Sequence, residues 1–178
     1  MIKRYAFILC ALTIALAACN SNSSSSGSTD AQGDKAGPAT TTDAAKTAPS
    51  TQALVDDKII KAYITTNKIT AQKDSASGLY YQIIKQGTGA TATIASKVQL
   101  DYVGKTLNGT VFDQSTSPMT FPLNQLIRGW QIGIPLVKAG GKILLIIPSE
   151  LAYGAESPSD KIPANSVLVF TIDVFSIQ

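Results

Sequence analysis

The sequence contains no histidine, and its two cysteines, Cys10 and Cys19, both fall within the first 19 residues. Everything after them has neither imidazole nor thiol. That excludes disulfides within it, Cys/His zinc sites, Ser-His-Asp triads and Cys-His dyads together. Charge is also sparse, with 15 Lys and Arg against 12 Asp and Glu. Lys3 and Arg4 lie in a leader expected to be removed, which leaves 15 − 2 = 13 basic residues and a net charge of +1. Such a balance calls for no nucleic acid or other strongly charged partner. Long apolar runs are missing too. The longest, Tyr5–Ala18, has 14 residues, where a bilayer-spanning helix needs about 20. Any catalysis must therefore rest on carboxylates, hydroxyls, Lys, backbone groups or the shape of a pocket, and no cofactor or metal is implied.

The leader has an order of its own. Lys3-Arg4 precedes the apolar run, and Leu16-Ala17-Ala18-Cys19 closes it, as in a signal peptide rather than a membrane span. The closing four residues resemble a bacterial lipobox. The resemblance implies removal of residues 1–18, then acylation of the Cys19 sulfur (palmitate and its like) and of the new amine. One acyl chain gives marginal membrane residence and several give stable anchoring. An ordinary secretory signal with an incidental cysteine is the alternative. Asn20 stands where some lipoproteins carry an inner-membrane retention Asp, which favours the outer membrane. The expected location is the cell envelope, lipid-anchored to the bilayer and facing the periplasm or the surface. Residues 19–51 read as the lipidated cysteine and a tether. From Asn20 to Ser50 there is no Leu, Ile, Val or aromatic residue, so the segment cannot bury enough apolar surface to offset its ordering entropy. As a coil it spans roughly 30 Å.

Ordered character begins near Gln52. Val55, Ile59, Ala62 and Tyr63 recur at helical spacing with Leu54 flanking, which predicts one amphipathic helix in a segment 52–77, ending near Asn67. Residues 78–178 change to strand signals. Leu79–Lys85, Lys97–Val103, Lys142–Pro148 and Val167–Phe175 are rich in Ile, Val, Leu and aromatics. In the second run Val98, Leu100 and Tyr102 alternate with Gln99, Asp101 and Val103. Asn108-Gly109 is a hairpin signal, and a short helical stretch covers about 129–137. The sum is an α+β domain, an antiparallel sheet with one packed helix.

Within that domain a series of short motifs recurs in order: Tyr102-Val-Gly, Asn108-Gly-Thr-Val-Phe-Asp, Phe121-Pro-Leu, Ile127-Arg-Gly-Trp-Gln, Ile147-Pro, Ala152-Tyr-Gly, Ile162-Pro-Ala-Asn and Leu168-Val-Phe. The series resembles the FKBP-type peptidyl-prolyl cis–trans isomerases over residues 79–178. The leader and the helix at 52–67 resemble their macrophage infectivity potentiator-like branch, without its long dimerisation helix, so a monomer is expected. The resemblance implies a curved antiparallel sheet wrapped around a short helix, with an apolar cleft between them. It implies that Trp130 floors the cleft, that Tyr102, Phe112, Phe121 and Phe170 wall it, and that Leu126, Ile127 and Ile162 add aliphatic contacts. It also implies that the Ile127 N–H bonds a substrate carbonyl, that the Tyr153 hydroxyl donates to the peptide, and that Asp113 sits at the cleft edge. Taken singly, the strand aromatics and Trp130 fit plain core, and Asp113 and Tyr153 fit ordinary turn chemistry.

The implied activity is rotation about X-Pro bonds of exported proteins, assisting their folding, with proline-containing segments as substrates and macrolides such as tacrolimus as further ligands. Three positions depart from the family pattern. Met119 stands where an aromatic is common, the stretch from Asp113 to Phe121 is short and lacks an Arg to pair with the Asp, and Lys161 replaces an apolar residue. These bear on macrolide affinity and substrate preference more than on fold. A second reading of the same residues is a tethered prolyl-peptide binding module, or a holdase chaperone with weak isomerase activity.

Overall fold

The strand signals resolve into one sheet. A computed structural model describes residues 49–178, so the leader, Cys19 and the tether up to residue 48 lie outside the described residues. The strands are β1 (Gln72–Lys73), β2 (Tyr80–Lys85), β3 (Lys97–Thr106), β4 (Val111–Gln114), β5 (Met119–Pro122), β6 (Lys142–Ile147) and β7 (Leu168–Ile177). They run in the order β1-β2-β6-β7-β3-β4, with β5 also paired to β3, and every pairing is antiparallel. The first half of β3 holds β5 and its second half holds β4 along the same edge. The Asn108-Gly109 turn joins β3 to β4. The segment from 86 to 96 crosses from β2 to β3 and is tied to Lys138 and Ala139 by backbone hydrogen bonds.

Period-two alternation divides the core between two faces. On one face Ile143, Leu145 and Ile147 of β6 join Leu168, Phe170 and Ile172 of β7 and Val98 and Leu100 of β3 in the main core. That face is covered by α2 (Arg128–Gly133) and the 3-10 turn Ile134–Leu136, which bury Trp130 and Ile134. A six-residue helix has little stability of its own, so packing holds it. Gly129 makes this packing possible: a Cβ there would meet the Ile147 side chain at 2.5 Å.

The opposite face carries Tyr80, Ile146 and Val169, packed against α1 (Thr51–Thr66) through Ile60, Tyr63 and Ile64. The helix begins one residue ahead of the expected boundary, where the Ser50 side chain accepts from Ala53 N at 3.0 Å as its N-cap. Its buried face also differs from the expected one. Asp56 and Ile60 are fully buried, whereas Leu54, Val55 and Ile59 are exposed. Apolar residues lie on more than one side of this helix, so their spacing does not single out a stripe. The deciding residue is a carboxylate. Asp56 accepts from Ser149 N, Ser149 Oγ and Gln52 Nε2, each at 2.7 Å, and these three donors offset its loss of water. Asp57 beside it accepts from the Tyr80 hydroxyl at 2.6 Å and pairs with Lys61 and Lys73. Among the described residues no helix is long and apolar enough to cross a membrane.

Candidate active site

Nine side chains from across the sequence line one open well of about 120 Å³: Tyr102, Phe112, Asp113, Phe121, Leu126, Ile127, Trp130, Tyr153 and Phe170. The sheet supplies the walls. Tyr102 comes from β3, Phe112 and Asp113 from β4, Phe121 from β5 and Phe170 from β7. The lead into α2 supplies Leu126 and Ile127, and its first turn supplies Trp130. Ile162, expected among the aliphatic contacts, is absent from this lining. It is buried in the core cluster that also holds Trp130 and Phe170, and the bridge to Ser159 holds its backbone.

The aromatic rings meet edge to face. Tyr102 and Trp130 have centroids 5.1 Å apart at 77°, Trp130 and Phe170 are 5.1 Å apart at 89°, and Phe112 and Phe170 are 5.4 Å apart at 85°. Such pairs are favoured by the ring quadrupoles, so the aromatic rings support one another in the wall. Gly104, between Tyr102 and the end of β3, is a requirement of this wall. A Cβ at that position would come within 2.7 Å of both Phe112 and Phe170.

Polar groups are few and lie toward one lip. The Tyr102 hydroxyl donates to Asp113 Oδ2 at 2.6 Å. Burial first, and then this hydrogen bond and the Asp113 charge, push the Tyr102 phenol up to about 12. The Tyr153 phenol is raised as well, by burial and then by Asp113. Ser115 fixes the Tyr102 backbone in both directions. Its Oγ accepts from Tyr102 N at 2.8 Å, and its N–H donates to Tyr102 O at 3.0 Å. Ile127 precedes α2 with extended backbone angles, and its carbonyl accepts from Trp130 N and Gln131 N. Among the hydrogen bonds of the described residues, none has the Ile127 N–H as donor. The indole N–H of Trp130 is buried and also lacks a partner.

Tyr153 sits on a loop rather than a strand. It follows the 3-10 turn Ser149–Leu151, and the Ser149 carbonyl accepts from the N–H groups on either side of it, Ala152 at 2.9 Å and Gly154 at 2.8 Å. Asn165 N donates to the Gly154 carbonyl at 2.7 Å. Ser115, Gly104 and Ser149 escape a reading of the sequence because small residues carry no chemical signature. Gly104 alone had a signal, as the last residue of Tyr102-Val-Gly.

An open antiparallel sheet of seven strands with one short helix packed on it, and an aromatic well between them, defines a class. Residues 89–175 match the FKBP-type peptidyl-prolyl cis-trans isomerases, and the chain belongs to that family. It is 42% identical over 130 residues to the isomerase FkpA of Aeromonas hydrophila, an alignment covering 71% of this chain and 48% of that protein. The crystal structure of FkpA from Escherichia coli superposes with a TM-score of 0.62 at 34% identity, over 71% of this chain and 61% of that one. The crystal structure of AtFKBP13 matches with a TM-score of 0.54 at 36% identity, over 60% of this chain and 97% of that one. The chain spans about half the length of the curated relatives it matches, or somewhat less.

Proposed function

We propose that this chain is a peptidyl-prolyl cis–trans isomerase that acts on X-Pro bonds of exported proteins while anchored to the cell envelope through acylated Cys19. The observation that carries the reading is the apolar, aromatic-walled well, with Asp113 and the hydroxyls of Tyr102 and Tyr153 as its few polar side-chain groups besides the Trp130 indole N–H. An apolar cavity of about 150 Å³ can take up a benzene ring and stay dry. A well of this size therefore suits a pyrrolidine ring, or the ring-sized part of a macrolide such as tacrolimus.

Rotation about an X-Pro bond makes and breaks no covalent bond. The obstacle is amide resonance, a barrier of about 18–20 kcal/mol. Resonance puts partial charge on the amide O and N, and water stabilises it. Twisting the amide removes that charge separation. A dry aromatic surround therefore favours the twisted amide over the planar one, which is the condition for lowering the barrier. In this reading Trp130 and the aromatic walls seat the proline ring, and the Ile127 N–H fixes a neighbouring carbonyl. The Tyr153 hydroxyl donates to the peptide, and Asp113, held by Tyr102, faces the twisting amide from the lip. The absence of His, and of Cys beyond position 19, is no obstacle to such chemistry.

Anchoring is supported by the basic start, the short apolar run and the Cys19 that ends it. A coupled assay on a Leu-Pro or Phe-Pro peptide tests the activity. Wild type should accelerate isomerisation, and folded Asp113→Leu and Tyr153→Phe should be slower, the latter by about twofold to tenfold for one neutral hydrogen bond. Wild-type rates in both variants would reject this placement of the site. Binding without turnover would make the chain a prolyl-peptide binding module.

A further inference from the structure

We infer that Asp56, on α1 and across the sheet from α2, is a positioning residue for the cleft, acting through Ser149 on Tyr153. The inference rests on the isomerase reading of the well. Its basis is an unbroken chain of short contacts. The Asp56 carboxylate is fully buried and takes both donors of Ser149, N and Oγ, at 2.7 Å each. Ser149, itself fully buried, then uses its carbonyl to hold the N–H groups of Ala152 and Gly154, the two neighbours of Tyr153. All the hydrogen-bonding groups of Ser149 are thus committed, one side to α1 and the other to the Tyr153 loop. Between its fixed neighbours, Tyr153 has an exposed ring and a hydroxyl free of any hydrogen bond among the described residues. Its backbone is consequently what places its hydroxyl over the well.

A carboxylate suits this post because it only accepts, and here it meets three donors with two oxygens. An asparagine has one neutral accepting oxygen, so even where Gln52 turns its amide to suit, the two bonds from Ser149 lose their charge assistance. Burial makes that loss costly. The consequence reaches beyond stability. The helix that follows the tether becomes part of the site's geometry, although none of its residues lines the well.

The test is a double-mutant cycle on the full chain, with Asp56→Asn and Tyr153→Phe, read as kcat/KM for a Leu-Pro peptide and as amide hydrogen exchange. Asp56→Asn should lower kcat/KM by about twofold to tenfold, no more than Tyr153→Phe does. It should add no further loss in the Tyr153→Phe background. The Ala152 and Gly154 amides should exchange faster, while those of α2 keep their protection. Equal losses in both backgrounds would show that Asp56 only holds the fold together and would overturn the inference. So would a wild-type rate in Asp56→Asn, or unchanged exchange at 152 and 154. If Asp56→Asn does not fold, Ser149→Ala, which removes one of the two bonds, takes its place in the cycle. Failure of wild type to turn over peptide would reject the isomerase reading instead, and the exchange measurement alone would then decide the positioning.

Discussion

Tyr102 joins two tasks in one side chain. Its ring packs edge to face on Trp130, and its hydroxyl donates to Asp113. The second depends on the phenol keeping its proton, and burial together with Asp113 pushes its pKa from 10.0 up to about 12. The sign of the stability effect follows. The contribution is fully present below the unfolded value of 10.0 and is lost as pH rises toward about 12. We expect wild type to be more stable than Tyr102→Phe near neutrality, and the gap to narrow from about pH 10 upward. Urea denaturation midpoints of both proteins across that range measure it, and a constant gap would mean that the phenol titrates alike in the folded and unfolded states. The same residue shows how far a sequence can be read. Nothing in the spacing of Tyr102 separates a cleft wall from plain core, and only the joint register of Phe112-Asp113, Trp130 and Tyr153 does so. Ile162 belongs to a recognisable Ile-Pro motif and lies in the same buried cluster as Trp130 and Phe170, though it is not among the side chains that line the well.

Among the elements, α1 departs furthest from its sequence pattern. The strands were legible because β3 alternates with period two, and β2, β6 and β7 are short runs rich in Ile, Val, Leu and aromatics. The helix was not, because Leu54, Val55, Ile59, Ile60, Tyr63 and Ile64 surround much of its circumference. Its orientation is set instead by Asp56 with Ser149 and by Asp57 with Tyr80 and Lys73, and charged residues are normally assigned to solvent in a sequence reading. The hydrogen bonds from Lys61, Lys73 and Tyr80 hold the Asp57 carboxyl well below its ordinary 3.8. A depressed folded pKa stabilises above the unfolded value and is lost as pH falls through the folded one. Wild type should therefore exceed Asp57→Asn in stability at neutral pH, with the difference shrinking below about pH 4. Denaturation midpoints measured from neutral into acid solution would show the convergence. A difference that persists or widens in acid would contradict it.

For the whole molecule, the parts were legible to different degrees. The Ser- and Thr-rich composition from Asn20 to Ser50 reads as a tether, an expectation that falls almost wholly outside the described residues, but Ser50 at its end proves to be the cap of α1, a role that composition cannot reveal. Anchoring is the second claim at this scale. Cys19→Ser should leave the protein unlipidated and recovered in the soluble fraction, and equal membrane recovery of the two forms would reject acylation at Cys19. The central claim, that the aromatic well catalyses rotation about X-Pro bonds, is tested most directly by exchange spectroscopy on a proline peptide at equilibrium with substoichiometric protein. A catalyst raises both rates and leaves the populations alone. The account predicts faster exchange between cis and trans resonances at an unchanged cis:trans ratio, and suppression of that exchange when tacrolimus fills the well. Exchange no faster than that of the peptide alone would contradict it.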